Sequence, residues 1–379
     1  MTAKKQKKDK GLVLVAGGAG FIGSHLVDAL VLRGYAVRVF DNLCPPSHNG
    51  KLPEWFNKKA EFVKGDVRVK KDWKKALRGV SYVFHLAAYM DYHMDFSNYF
   101  RTNTESAALL YEVVVERKLP IRKIVLASSQ AVYGEGKYWC ARHGEVYAQP
   151  REEAQLKKKA WECVCQHCGK VFEKIIPEKE DDQLFPGNPY GVSKLALEQI
   201  AMNLGKKYGI PTVLVRYSIV HGPRQSFRHF YSGALRSFVV QALAGEPIEM
   251  HEDAMQLRDF VHINDVTAAH VKILESPKAN YEIFNIGSGR KNDTVLKLSK
   301  IVSRCAGVSH RPIIKGMYRA GGARHSLMNV EKLKKLGWKP THTLEDNARD
   351  YIEWVRKYPE AIQYLHRTYG DMKKHGIIR

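Results

Sequence analysis

The most constraining feature lies near the start of the chain. The apolar run Leu12 to Val15 leads straight into Gly17-Gly18-Ala19-Gly20-Phe21-Ile22-Gly23, and then into a helical apolar pattern through Leu32. A second apolar run, Ala36 to Phe40, follows and ends on Asp41. Strand, glycine turn, helix and strand in this order open a doubly wound parallel sheet, because a parallel partner strand needs a crossover helix. Glycines at 17, 20 and 23 let the backbone turn tightly, approach a pyrophosphate and seat the helix on the strand, with the helix N-terminus favouring an anion. Asp41 lies about twenty residues past the turn, where a carboxylate accepts adenosine ribose hydroxyls and repels a 2′-phosphate. The expected cofactor is therefore NAD. Asp66, in Gly65-Asp66-Val67 after another strand, is a candidate for the adenine end, with a plain turn aspartate as the alternative.

Further strands are expected at Glu61 to Val63, Val80 to His85, Lys123 to Ala127 and Thr212 to Arg216, with helical segments between them. Such alternation predicts a parallel sheet covered by helices on both faces. At 379 residues the chain exceeds one ordinary domain. The expected fold is α/β: residues 1–10 a basic flexible tail, 11–216 a Rossmann domain interrupted by an insertion at 135–187, and 217–379 mainly a smaller mixed α/β substrate-binding domain. Helical patterns around Leu344 to Tyr358 and Glu360 to Thr368 close the chain.

No stretch approaches the roughly 20 apolar residues of a membrane helix. The apolar run Gly11 to Ala16 that follows the lysine-rich start continues directly into the glycine motif, so it reads as a buried strand and not as a signal peptide, and a cytoplasmic location is the expectation. The formal charge of +22 is scattered over the whole length apart from the short tail, which points to a solvated basic surface and to neither nucleic acid nor membrane as partner. Four of the six cysteines fall between Cys140 and Cys168. Cys140-x-x-His143 and Cys165-x-x-Cys168 have the two-pair spacing of structural zinc, and four protein ligands leave no open position for substrate. Cys163 is the alternative to His143 as fourth ligand, and His167 stands behind both.

Tyr-x-x-x-Lys occurs at Tyr133/Lys137, Tyr190/Lys194 and Tyr369/Lys373. The first spans Gly-Glu-Gly and the third lies in the Gly- and His-containing tail. Only Tyr190, after Asn188-Pro189, opens a helical stretch, Gly191 to Tyr208, in which positions i and i+4 share a face. Lowering a tyrosine by three pKa units from about 10 takes about 4 kcal/mol. A unit charge at about 4 Å in an effective dielectric near 20 supplies about that much, so Lys194 alone is expected to make Tyr190 a base. Ser129, at the end of the run from Lys123, is the candidate to hydrogen-bond the reacting oxygen.

Together these residues resemble the extended short-chain dehydrogenase/reductases, in particular the nucleotide-sugar epimerases and dehydratases. The resemblance runs through Gly17 to Gly23, Asp41-Asn42, Asp66-Val67, His85-Leu86-Ala87-Ala88, Asn103, Ser129 with Val132-Tyr133-Gly134, Tyr190 and Lys194. It continues with Gly222-Pro223-Arg224, Arg258-Asp259-Phe260-Val261-His262 and Phe284-Asn285-Ile286-Gly287. It implies that Phe21, Ile22, Asn42, Val67, Leu86, Ala87, Ala88 and Asn103 join the glycines, Asp41, Asp66, Tyr190 and Lys194 around NAD. It also implies that Arg258 and Arg319, with Ser129, meet a nucleoside-diphosphate sugar, and that the enzyme is a homodimer. The insert looks like that of the subgroup containing the dTDP-L-rhamnose 4-epimerases. Two positions depart from the pattern: Ile219 stands where many 4-epimerases carry asparagine, and Gly322 replaces an aspartate.

By this resemblance the shared chemistry makes a 4-keto sugar. A 4,6-dehydratase then needs an Asp-Glu pair after the catalytic hydroxyl, and 3,5-epimerising relatives use a cysteine at the second position. Here the residues are Gln130 and Ala131, which do neither. Simple C4 epimerisation needs no further group and is the expected reaction. The other readings are a nucleotide-sugar oxidoreductase or dehydratase and a non-enzymatic NAD-binding regulator.

Overall fold

The computed structural model describes residues 10–364 apart from 92–93, 229–232 and 320. Most of the basic tail, the Tyr369/Lys373 pair and the end of the Glu360 to Thr368 pattern lie outside the described residues. The apolar runs form one seven-stranded parallel sheet. At its centre β1 (Leu12–Ala16) lies between β2 (Ala36–Asp41) and β4 (Val80–His85). Beyond β2 lies β3 (Glu61–Lys64), and beyond β4 lie β5 (Lys123–Ser129), Thr212–Tyr217 and Ile283–Ile286. The strand order reverses at β1, which opens a crevice at the carboxyl ends of β1 and β4, the usual ligand position in such sheets.

Side chains alternate between the faces of a strand, and both faces are covered. Val13, Val15, Val37 and Val39 pack against α1 (Phe21–Leu32) and the helix Ile263–Glu275 through Leu26, Leu30, Val266 and Ile273. Leu14, Phe40, Val83 and Leu126 pack against Trp73, Leu110, Leu197 and Ala201 on the other face. The last strand and the helix Ile263–Glu275 come from beyond residue 216, so the sheet half of the molecule is not confined to 11–216. Four residues, Ile283–Ile286, are too short a run for periodicity to reveal.

The remaining C-terminal elements surround a second core of Leu235, Phe238, Leu298, Val302, Tyr351 and Ile352. The helix Leu344–Val355 starts at a capping box in which Thr343 and Asp346 satisfy each other's backbone amides. After it come a 3-10 turn, Pro359–Ile362, and two helical residues, 363–364, where the described residues end. The insert forms a three-stranded antiparallel sheet of Gly144–Tyr147, Lys137–Cys140 and Lys174–Ile176. Tyr138, Val146, Cys163 and Phe172 pack together on it, with the Tyr138 and Phe172 rings stacked at 4.9 Å. Strands of three or four residues are again below what a period-2 pattern can show. Among the described residues no helix is long and apolar enough to cross a membrane.

Candidate active site

Gly17 takes φ +77°, and a Cβ there would lie 2.6 Å from the Ala87 amide nitrogen. The segment Leu86-Ala87-Ala88 just after β4 is therefore held against the turn, tied also by the Leu86 amide donating to the Ala16 carbonyl at 2.8 Å. Gly23 presses on the same turn, whereas at Gly20 the nearest atom to an added Cβ is the Gly17 oxygen, 3.3 Å away. A side chain at Gly20 would thus fill the space over the turn, in front of the α1 N-terminus that Phe21 and Ile22 begin. Asp41 is buried beside it, its Oδ2 accepting from the Ala19 amide at 3.1 Å and its Oδ1 from the Leu43 amide at 2.9 Å. An open cradle at a helix N-terminus with a fixed carboxylate beside it fits a dinucleotide.

Asn42 donates to Asp66 at 3.2 Å, and Arg68 grips both Asp66 oxygens. Burial raises Asp66, but the bonds from Arg68 and Asn42 outweigh it and hold the carboxyl at about 2. Val67 is buried, and its carbonyl accepts from the Trp73 indole at 2.7 Å. Asn103 is wholly buried in the turn Phe100–Glu105. Its amide is spent on the Tyr89 backbone, at 2.9 and 3.1 Å, and on Ser193 Oγ at 2.9 Å, so it fastens the loop after β4 to the helix that carries Tyr190.

That helix, Pro189–Lys207, begins at Asn188, whose side chain accepts from the Gly191 amide at 2.9 Å, with Pro189 at the first helical position. A Cβ on Gly191 would lie 2.6 Å from the Ala131 carbonyl oxygen. The glycine after Tyr190 therefore lets the helix start press against the turn Gln130–Tyr133, directly after Ser129. Ser129 caps that turn, accepting from the Ala131 amide at 3.1 Å, and its hydroxyl also hydrogen-bonds Tyr190. Lys194 Nζ donates to the Ala127 carbonyl at 2.8 Å and lies 5.8 Å from the centre of the Tyr190 ring.

The expectation that Lys194 alone lowers Tyr190 is corrected. Burial pushes Tyr190 up to about 12 against the pull of Ser129. Burial also brings Lys194 down to about 7, opposed by Glu198. Desolvation is the largest cause for both groups, and neither group is among the causes of the other's shift. The other tyrosine motif is not assembled: the Tyr133 hydroxyl is tied to Asn285 at 2.8 Å and Arg216 at 2.9 Å, while Lys137 bonds Asp182 at 2.6 Å.

Sequence reasoning missed Glu198, one turn beyond Lys194. Buried Glu198 binds Arg216 through both oxygens, at 2.8 and 2.7 Å, and accepts from Ser128 at 2.5 Å. The i+4 spacing from Lys194 was the available signal. Glu198→Gln leaves a buried guanidinium without its counter-charge, and we expect a loss of about 3–5 kcal/mol. Urea unfolding measures this, and unchanged stability would show that Arg216 is satisfied elsewhere.

Arg258 does not present a free guanidinium. Its nitrogens donate to the carbonyls of Leu257 at 2.9 Å, Arg324 at 2.7 Å and Ala323 at 2.8 Å, and burial lowers it to about 10. It braces the segment that follows Arg319. Arg319 stands close enough to His251 and Arg236 to oppose protonation of both, behind the larger effect of burial. Gln130 follows Ser129 with its Oε1 accepting from Ser326 at 2.9 Å.

In the insert, Cys140 Sγ lies 3.6 Å from His143 Nδ1 and 3.8 Å from Cys168 Sγ, and Cys165 Sγ lies 3.5 Å from His143 Nδ1. All four ligand atoms fall within 4.8 Å of one another. Cys163 turns the other way, donating to Glu135 at 3.5 Å, its thiol raised by burial and by that carboxylate. His167 stays outside the group, its ring centre 5.2 Å from that of His143.

Residues 13–287 match the model of the NAD dependent epimerase/dehydratase family. The chain belongs to that family. Among the relatives of this epimerase/dehydratase is the dTDP-L-rhamnose 4-epimerase of Burkholderia thailandensis, 31% identical over 90% of the chain and 94% of the relative. The Thermotoga maritima UDP-glucose 4-epimerase, solved with UDP-glucose, superposes with a TM-score of 0.74 at 30% identity, covering 91% of this chain and 99% of that one. The Thermus thermophilus UDP-glucose 4-epimerase, solved with NAD, gives 0.72 at 28% identity, covering 92% and 99%.

Proposed function

We propose that the chain inverts C4 of a nucleoside-diphosphate hexose while retaining NAD. The observation that carries this reading is the convergence of Ser129, Tyr190 and Lys194, with neither an acid nor a thiol at 130 or 131. The glycine turn, Asp41 and the Leu86-Ala87-Ala88 segment after β4 hold the dinucleotide, and Arg319 meets the diphosphate. Asp41 excludes a 2′-phosphate and so selects NAD. The chemistry NAD supplies when bound is reversible acceptance of the C4 hydride. Tyr190 takes the proton of the C4 hydroxyl while Ser129 hydrogen-bonds the oxygen. When the 4-keto sugar turns its other face and C4 regains its hydride there, Tyr190 returns the proton to the C4 oxygen. Incubation with UDP-, dTDP-, GDP- and CDP-sugars, with products read by NMR, tests this, and a 4-keto-6-deoxy product would refute it.

The reactive form, Tyr190 phenolate beside Lys194 ammonium, has the same proton count as the neutral pair. With Lys194 at about 7 and Tyr190 at about 12, that count is constant between those values. The pH profile of kcat/KM is expected to be flat there and to fall below about 7, where Lys194 takes up a proton that Tyr190 has not given up. A steady rise from pH 7 to 9 would mean that Tyr190 loses its proton to solvent.

Zinc is the proposed occupant of the Cys140, His143, Cys165 and Cys168 group. Tetrahedral bonds of about 2.3 Å to sulfur and about 2.0–2.1 Å to nitrogen imply S···S near 3.8 Å and S···N near 3.6 Å. The separations of 3.8, 3.6 and 3.5 Å in the structure agree with these values. A homodimer is also proposed, supported by the exposed Phe96, Phe100 and Val192 near the starts of the helices that follow Asn103 and Asn188.

A further inference from the structure

We infer that the insert is a positioning device for the nucleoside-diphosphate end of the substrate. The inference rests on the reading above that Arg319 meets the diphosphate. The segment after Arg319 is held on one side by Arg258, which takes the carbonyls of Ala323 and Arg324. The insert holds the rest. Arg151 Nη2 donates to the Gly322 carbonyl at 2.8 Å, and Glu135 accepts from the Arg324 amide at 2.8 Å. Glu162 accepts from the Arg324 guanidinium at 3.0 and 2.5 Å and pairs with His325 Nε2 at 3.1 Å. His325 accepts from the Leu257 amide through Nδ1, which leaves Nε2 to carry the proton toward Glu162.

Glu252 and Asp253 complete the cluster. Arg151 binds Glu252 in a two-pronged contact, 3.0 Å for each bond, and Arg324 reaches Glu252 at 2.8 Å and Asp253 at 2.8 Å for both oxygens. Arg151 and Arg324 are buried, and three arginines (151, 258, 324) face four acids (135, 162, 252, 253). A buried cluster of this kind keeps its geometry only while every member is in place. Glu162 lies three residues before Cys165, and Arg151 lies in the loop between the two ligand pairs. A metal that closes those pairs fixes where both side chains reach, and so fixes the Gly321 to His325 backbone leading back to Arg319. The bonds that hold this network join the insert to Glu252, Asp253 and the Gly322 to His325 segment, and neither Tyr190 nor the glycine turn is among the partners in those bonds. The effect should therefore fall on substrate binding and spare the chemical step and the cofactor.

The test uses the full chain with its bound NAD and compares Glu162→Gln, Arg151→Met, Arg319→Ala and the pair Cys165→Ser/Cys168→Ser. Titration calorimetry with UDP and with dTDP gives Kd, steady-state turnover of the active sugar gives KM and kcat, and elemental analysis gives zinc. Thermal melting confirms that each variant is folded. For Glu162→Gln and Arg151→Met we expect Kd and KM to rise about tenfold or more with kcat changed less than about twofold, and with NAD and zinc both retained. The cysteine pair should show the same pattern without zinc. If Arg319→Ala leaves Kd unchanged, the reading of Arg319 falls. If Arg319→Ala weakens binding but Glu162→Gln and Arg151→Met do not, the positioning role falls. Loss of NAD or an equal fall in kcat in those two variants would also overturn it, since the network would then serve the catalytic half.

Discussion

Replacing Tyr190 by phenylalanine is expected to lower turnover by at least about a hundredfold, the usual worth of a positioned acid/base group. NAD should remain bound, as mass spectrometry of the nucleotide released on denaturation would show. The ring that packs at the start of the helix Pro189–Lys207 is kept, and only the hydroxyl that meets Ser129 is lost. No neighbouring group replaces it: the Tyr133 hydroxyl is tied to Asn285 and Arg216. Near-normal turnover in Tyr190→Phe would remove this residue from the mechanism.

Metal loss should have a different effect. About one zinc per chain is expected, and Cys165→Ser/Cys168→Ser should release it and make the insert protease-sensitive while NAD binding persists. The core of the insert is small, essentially Tyr138, Val146, Cys163 and Phe172 with the ligands themselves. A structural zinc contributes roughly 10 kcal/mol or more to ordering such a segment. Metal-free protein with a protected insert would contradict this, because the apolar contacts alone would then be sufficient.

What the sequence disclosed was local. The glycine turn, the acid ending β2 and the tyrosine and lysine one helical turn apart are patterns within a few residues or one supersecondary unit; the structure sets Asp41 beside the glycine turn and Ser129 beside Tyr190. The Cys140/His143 and Cys165/Cys168 pairs were legible for the same reason, since each is a short turn, and the structure brings their four side chains within 4.8 Å of one another. The polar partners that brace the site were not. Arg216 and Glu198 are 18 positions apart, Arg151 and Glu252 are 101 apart, and Arg151 and Gly322 are 171 apart, with no periodicity to connect them. The direction of the Tyr190 shift was also out of reach, because it depends on burial, which only the tertiary packing decides. Arg258 shows a related limit: its place in the motif was clear, but not that backbone carbonyls would occupy its guanidinium.

The most direct test of the central claim follows one hydrogen. A substrate sugar carrying deuterium at C4 is incubated with the enzyme until both epimers are present, and the product is read by NMR. If hydride leaves C4 and returns to the opposite face within one enzyme-bound cycle, the deuterium is retained at C4 of the inverted sugar and no water is lost from C5 and C6. Deuterium washed out to solvent or to added nicotinamide cofactor, or a 4-keto sugar accumulating in place of the epimer, would contradict the account.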